Sequence, residues 1–169
     1  MHARIPTVAY HEAGHVVAAF MLGMHVDLVS IETQGFPPRW PFRGAVLASF
    51  NLEDTRNQDE AERSATAGLA GEQAERLCSR RKPWRHVKST HHISFSGDHA
   101  YVHEMLRPFI KDSADEDRII KRLKEAARTL LANHWSCVEV LAAKLAEHKV
   151  LKSGEIKRLV TFASREDLA

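Results

Sequence analysis

The sequence is poor in cysteine and has no long hydrophobic run. Its two cysteines, Cys78 and Cys137, cannot build a disulfide framework, so we expect a reducing, cytoplasmic setting. The longest apolar run, Val16–Met24, is far shorter than the roughly 20 residues needed to cross a bilayer, which predicts a chain without a membrane span. The N-terminal residues MHARIPTVAY also lack the apolar segment of a secretory signal peptide.

An excess of charge of one sign is missing too. Lys and Arg number 24, Asp and Glu number 22, and the formal net charge is +2. A nearly neutral chain has no general electrostatic attraction to nucleic acid, so we expect no nucleic-acid partner. The 44% hydrophobic content excludes a disordered chain, and 169 residues are enough for one domain with a substantial core. We therefore expect a single domain over residues 1–169.

Hydrophobic periodicity predicts a chain of helices with few strands. Helices are predicted at Ile5–Leu22, Asn57–Arg80, Asp98–Ile110, Ser113–His134, Ser136–His148 and Ser153–Ala163. Alternating, β-branched residues predict strands at His25–Thr33 and Arg43–Phe50. The stretches Gln34–Phe42 and Arg80–Phe95 are predicted loops. The predicted fold class is α+β: mostly α, with a small sheet of short antiparallel or mixed strands and a C-terminal helical bundle.

Two capping boxes support this assignment. Asn57 with Glu60 predicts the start of one helix, and Ser113 with Glu116 predicts the start of another. In each pair, the side chain of the first residue would accept a hydrogen bond from the backbone N–H three residues later.

Histidine is unusually frequent, with 11 residues, and two of them form an HExxH motif. The motif, His11-Glu12-Ala13-Gly14-His15, falls within the first predicted helix. Residues i and i+4 lie on one helix face about a turn apart, so His11 and His15 can bind the same ion. Imidazole nitrogens suit Zn²⁺, and Glu12, rotated about 100° around the axis, comes beside the ion. A Lewis acid, a water of lowered pKa and a base together predict metal-assisted hydrolysis.

A simpler interpretation is that the two histidines and a solvated Glu lie on an exposed helix face, because such a motif also arises by chance. The motif, however, lies within an apolar segment from Val8 to Phe20, so its polar groups are expected to be buried and to need partners. Gly14 inside a helix costs about 1 kcal/mol relative to Ala, which indicates that another element packs closely there. Both observations favour a metal site.

A catalytic zinc ion needs a third protein ligand. The downstream candidates are Glu72, Glu75, His91, His92, Asp98 and His99. Glu72 and Glu75 lie one turn apart on a predicted helix, where both could be solvated or one could support a ligand. The residue types alone leave Asp98 and His99 as close rivals, since an Asp at a helix start also serves as a cap.

The segment AYHEAGHVV, Ala9–Val17, resembles the AYHEAGHA signature of the zinc-protease domain of FtsH-type membrane AAA+ proteases. The resemblance extends along nearly the full chain. Further similar segments are Val29–Ile31 with Gly35, Ala70–Glu75 (similar to GGRAAE), Ser96–Asp98 (similar to TGA-x-x-D) and the helical stretch Leu130–Ile156. The resemblance implies that His11, His15 and Asp98 are zinc ligands and that Glu12 is the catalytic base.

From this resemblance we expect a soluble, stand-alone zinc metalloendopeptidase with one zinc ion per chain and peptides or unfolded proteins as substrates. The sequence contains no GxxxxGK[ST] nucleotide-binding loop, so the resemblance is to the protease domain alone. Two alternatives stay open. The chain could be a zinc-stabilised binding or regulatory module that cleaves nothing, or a protease subunit that forms a homo-oligomer or docks on a separate ATPase.

Three other features have competing interpretations. The predicted strand Arg43–Phe50 could be an edge along which a substrate peptide extends. Phe36, Trp40 and Phe42 could line a specificity pocket or anchor a loop on the core. The basic stretch Arg76–Lys88 could contact RNA or an acidic partner, but a solvated surface is the preferred interpretation because the net charge is near zero.

Overall fold

The computed structural model describes residues 5–32, 45–48, 57–81 and 94–166, and α-helices account for most of them. The helices are α1 (Thr7–Met21), α2 (Gln58–Arg81), α3 (Ser94–Leu106), α4 (Ser113–Asn133), α5 (Trp135–His148) and α6 (Ser153–Glu166). The strands are β1 (Val26–Ser30), β2 (Ala45–Ala48) and β3 (Val150–Lys152), and a 3₁₀ turn at Arg107–Phe109 follows α3. This confirms the predicted fold class.

The three strands form one antiparallel sheet in the order β2-β1-β3. Val29 of the central strand pairs with Val46 on one side and with Leu151 on the other. The strand β3 is absent from the sequence-based prediction, because three residues between two amphipathic helices are too short for a visible alternation. The predicted loop Gln34–Phe42 and most of the predicted loop Arg80–Phe95 lie outside the described residues.

The start of α3 and the cap of α4 differ from the prediction, although α4 begins at Ser113 as predicted. The structure begins α3 at Ser94, so Asp98 lies within the helix rather than at its start. The cap of α4 is Asp112, whose side chain accepts a hydrogen bond from the Asp115 N–H at 2.8 Å, so the predicted capping box with Ser113 is wrong. Asp and Ser are equally good caps, and the structure uses the Asp that lies one residue earlier.

The start of α2 follows its prediction. Asn57 accepts a hydrogen bond from the backbone N–H of Glu60 at 3.0 Å. Asp59 and Glu60 in the first turn, with Arg80 and Arg81 in the last, complement the dipole of this long helix. Among the described residues, none of the helices combines the length and the apolar character that a membrane span requires.

Buried apolar side chains form two clusters in the described part of the chain. The first packs α1 against the sheet, α5 and α6, and its largest members include Val16, Val17, Val29, Leu141, Leu145, Leu151 and Ile156. The second lies between α2, α3 and α4 and comprises Ala61, Ala65, Leu69, Val102, Leu106, Ile119 and Leu123. The helix α2 contributes to both, through Ala70 and Ala74 to the first and through Ala65 and Leu69 to the second.

Close contact between α1 and α2 depends on Gly14. A Cβ atom at this position would come within 2.6 Å of the Ala74 Cβ and 2.8 Å of the Ala70 carbonyl oxygen. Both distances are shorter than van der Waals contact, so only Gly fits. The two helices therefore meet at the turn of α1 that carries the HExxH motif.

Candidate metal centre

Three side chains from two helices converge where α1, α2 and α3 meet. His11 and His15 come from successive turns of α1, and Asp98 comes from α3. The His11 side chain is almost fully buried, His15 is mostly buried and Asp98 is partly exposed. One ligand atom from each of the three residues lies within 4.8 Å of the other two, which meets the requirement for a shared metal ion.

The distances within this triad match those of a tetrahedral ion. His11 Nε2 lies 3.0 Å from both His15 Nε2 and Asp98 Oδ2, and His15 Nε2 lies 3.5 Å from Asp98 Oδ2. Metal–ligand bonds of about 2.0–2.1 Å at tetrahedral angles place two ligand atoms about 3.3 Å apart. The three observed separations bracket that value, so a single metal ion with bonds of this length fits all three atoms.

The Nδ1 atoms of both histidines are fixed by acceptors on α2. The His15 Nδ1–H donates to the Ala67 carbonyl oxygen at 2.8 Å, and the His11 Nδ1–H donates to Glu75 Oε1 at 2.8 Å. A carbonyl oxygen can only accept, so His15 in its neutral form carries its proton on Nδ1. Partners of this kind commonly orient metal-binding histidines and leave Nε2 available for the metal.

The triad therefore brings acceptor atoms together. The Nε2 lone pairs of His11 and His15 and an oxygen of Asp98 all point into one small space, where they repel one another unless a cation lies between them. Gly71 keeps this space open: a Cβ atom there would lie 2.5 Å from His15 Nε2 and 2.6 Å from His11 Nε2. A divalent ion or bound protons must supply the positive charge.

The pKa values of the triad without metal show which residues would hold those protons. Burial lowers the pKa of His11, but hydrogen bonds with Asp98 and Glu75 outweigh it and raise the pKa from 6.5 to about 10. Burial also lowers the pKa of His15, and Asp98 more than reverses the shift. For Asp98, burial raises the pKa, while the charge of His15 and the hydrogen bond with His11 bring it well below its usual range. Zinc binding would displace the imidazole protons.

Glu12 is buried beside the triad, with 4% of its surface exposed. Burial raises the pKa of Glu12, and positive charge on His11 and His15 offsets part of that rise. Asp98 raises the Glu12 pKa as well, so the Glu12 carboxyl lies within electrostatic range of all three triad residues. A carboxyl with a raised pKa suits a group that accepts and returns a proton.

The other candidate ligands have different positions. Glu75 supports His11 rather than joining the triad. Glu72 interacts with Arg76, with Lys124 Nζ at 3.2 Å and with His99 Nε2 at 3.3 Å. His99, the rival of Asp98, therefore faces Glu72 and does not belong to the triad. The remaining candidates, His91 and His92, lie outside the described residues.

Sequence reasoning missed two contributors to this centre. Ala67 acts through its backbone carbonyl, so its side chain gives no signal. Gly71 acts by lacking a side chain, and the small-residue pair Ala70-Gly71 is the only hint in the sequence. Both lie on α2, whose contribution becomes visible only when the helix packs against α1.

Comparison with known proteins adds no family assignment: no protein-family model matches this chain, and no curated protein is significantly similar to it.

Proposed function

We propose that this protein is a zinc-dependent metallopeptidase that hydrolyses peptide bonds in unfolded or flexible proteins. One observation carries the proposal: the acceptor atoms of His11, His15 and Asp98 lie at tetrahedral ligand separations, with the buried carboxyl of Glu12 next to them. Two imidazoles and one carboxylate leave a fourth position open, which is typical of catalytic rather than structural zinc sites.

Each residue has a distinct task in this proposal. When bound, Zn²⁺ supplies a Lewis acid that polarises a carbonyl oxygen and lowers the pKa of water. His11, His15 and Asp98 would hold the ion, while Glu75 and Ala67 fix the orientation of the two imidazoles. Since both Nδ1 atoms are held from α2, the ligand geometry is set before any metal or substrate arrives.

Glu12 would transfer the proton that peptide hydrolysis requires. Its carboxylate accepts a proton from the attacking water, and its carboxyl then returns that proton to the leaving amine nitrogen. The raised pKa of Glu12, caused mainly by burial, makes its carboxylate a stronger proton acceptor than an exposed glutamate and supports this role. Burial also limits competing contacts with bulk water.

The sheet offers a way to align a peptide substrate. In the described sheet, β2 lies at one edge, and it contacts α1, the helix that carries the HExxH motif. An extended peptide added to an edge strand gains main-chain hydrogen bonds without a sequence requirement. This supports the interpretation of the predicted strand Arg43–Phe50 as the substrate edge and favours unfolded substrates.

The setting of the protein is part of the proposal. Neither Cys78 nor Cys137 belongs to a disulfide in the described part of the chain, and Cys137 is buried. Their state is compatible with the reducing cytoplasm expected from the sequence.

The substitution Glu12→Gln tests the function. It removes the proton-accepting group but keeps size and shape, so we expect casein hydrolysis to fall about 10²–10⁴-fold while one zinc ion per chain stays bound. The matched control is Glu104→Gln, which changes an exposed carboxylate on α3 and should leave both quantities unchanged. Casein cleavage is followed by fluorescence and zinc by elemental analysis.

Two results would contradict the proposal. Undiminished hydrolysis in Glu12→Gln would exclude Glu12 as the proton-transfer residue. A wild-type chain that binds zinc stoichiometrically but cleaves neither casein nor short peptides would instead favour the zinc-stabilised binding module.

A further inference from the structure

A cavity of about 320 Å³ lies between α2 and α4, away from the triad. Its walls are one face of each helix: Gln73, Arg76, Leu77 and Arg80 from α2, and Asp117, Ile120, Lys121, Lys124, Glu125 and Arg128 from α4. We refer to it as the α2–α4 groove. Its volume is at the lower end of the range of about 300–1,000 Å³ for small-molecule sites, so a ligand that fills it is small.

Positive charge dominates the lining of the α2–α4 groove. Five cations line it: Arg76, Arg80, Lys121, Lys124 and Arg128. The opposing carboxylates are Asp117 and Glu125 in the lining and Glu72, which binds both Arg76 and Lys124. The local formal charge is therefore positive even when all three carboxylates are counted, whereas the whole chain is nearly neutral.

Two of these cations are available for a ligand. Arg80 and Lys121 are exposed, and neither forms an ion pair with another residue in the described part of the chain. Arg76 and Lys124 share the single carboxylate of Glu72, so each has further N–H donors that can bind a ligand. Guanidinium groups bind phosphate oxygens in a bidentate manner, which favours an oxyanion as the ligand.

The Gln73 side chain adds a polar group to the groove. Gln73 lines the groove with only 5% of its surface exposed, and its side-chain amide makes no hydrogen bond with another described residue. The amide atoms are not enclosed by the protein, so they face the groove. A ligand in the groove can therefore accept from, or donate to, this amide.

We propose that the α2–α4 groove is a binding site for a small ligand with two or more adjacent phosphate groups. The Gln73 amide would bind one oxygen at the buried end, and Arg80 and Lys121 would bind the outer oxygens. Leu77 and Ile120 supply only a small apolar wall, so the charged groups of the ligand contribute most of the affinity. This site is independent of the triad and of the peptidase proposal.

Calorimetric titration with pyrophosphate and tripolyphosphate tests the site. Both probes also chelate divalent ions, so the full chain is titrated as purified and again after metal removal. We expect saturable one-to-one binding in both states, with orthophosphate weaker than pyrophosphate because it has fewer oxygens for the same donors. Affinity should fall as salt concentration rises.

Paired substitutions locate the binding. Arg80→Gln with Lys121→Gln removes two exposed cations without breaking an observed contact and should weaken pyrophosphate binding about tenfold or more. The control, Lys157→Gln with Arg158→Gln, makes the same charge change on exposed α6 positions and should have no effect. Gln73→Met keeps the volume and charge but removes the amide, and should lower affinity without changing its salt dependence.

Three outcomes would overturn the proposal. The first is the absence of saturable binding, and the second is an equal loss of affinity in the control pair. The third is tight binding of a single-stranded RNA oligonucleotide with no binding of either polyphosphate, which would make the groove a nucleic-acid contact.

Discussion

Two neighbouring positions of α2 use the same residue type in opposite ways. Glu72 and Glu75 lie one helical turn apart and are equally buried, with 7% of the surface of each exposed. Glu75 fixes His11 at a centre where acceptor atoms are in excess. Glu72 lies beside a groove where donors are in excess, between Arg76, Lys124 and His99. The neighbouring side chains, not the residue itself, decide whether a buried carboxylate orients a metal ligand or neutralises cations.

The same difference sets the expected ligand of each region. Converging lone pairs at the triad favour a cation, whereas the excess of guanidinium and ammonium groups in the α2–α4 groove favours an anion. Substitutions on α2 should therefore act on one region and leave the other unchanged.

The largest expected effect follows from removing a triad residue. His15→Ala leaves two ligands, and we expect zinc affinity to fall by more than the 10–100-fold typical of losing a supporting contact. A competitive chelator titration measures it. His25→Ala changes an exposed histidine with one surface partner and should bind zinc like the wild type. Unchanged affinity in His15→Ala would exclude His15 as a ligand.

Gly71→Ala should have the next largest effect. The added methyl group would lie 2.5–2.6 Å from both Nε2 atoms, so the imidazoles must move out of position and zinc affinity should fall at least about tenfold. The control is Gly154→Ala in α6, where a Cβ atom meets nothing within 4 Å. That change should preserve zinc binding and slightly raise thermal stability, since Ala favours helix by up to about 1 kcal/mol. Equal zinc affinity in both variants would refute the role of Gly71.

The pair Glu75→Gln and Glu72→Gln tests the comparison itself. Glu75→Gln weakens the support of His11 and should reduce zinc affinity about tenfold, with pyrophosphate binding unchanged. Glu72→Gln removes the carboxylate that Arg76 and Lys124 share, so pyrophosphate binding should strengthen and zinc affinity should stay the same. Both are measured by calorimetry. If both variants changed zinc affinity alike, the triad and the α2–α4 groove would not be independent.

The smallest expected effect concerns pH. In the metal-free protein the pKa of His11 is raised from 6.5 to about 10, so its stabilising contribution is complete below pH 6.5 and is lost as the pH rises toward 10. Zinc needs deprotonated imidazoles, so its stabilising effect grows over the same range. The difference in Tm between zinc-loaded and metal-free protein should therefore widen from about pH 6 to about pH 9. A Tm difference that narrows as the pH rises would contradict the binding of zinc by deprotonated His11.

Much of the fold could be predicted from sequence because long amphipathic helices carry a strong periodic signal. The positions of α1, α2, α4, α5 and α6 follow from that signal. Short elements are harder to predict from sequence. The strand β3 has three residues, and its pairing with β1 joins residues more than a hundred positions apart. The α4 cap was misplaced by one residue because Asp112 and Ser113 are both good caps.

The candidate centre was only partly predictable for a different reason. The spacing of His11 and His15 lies within one helix, so the pairing can be derived locally. Asp98 joins them from another helix. The residue types alone did not distinguish Asp98 from His99 as the third ligand. Its place in the triad depends on how α3 packs, and that packing places His99 against Glu72 instead. Contributions from Ala67 and Gly71 involve no side-chain chemistry at all.

The most direct test of the central claim is the zinc content of Asp98→Ala after dialysis against a weak chelator. Asp117→Ala, an exposed carboxylate on α4, is the matched control. We predict about one zinc ion per chain in the wild type and in Asp117→Ala, and almost none in Asp98→Ala. One zinc ion retained in Asp98→Ala, at wild-type affinity, would mean that His11, His15 and Asp98 do not share a metal.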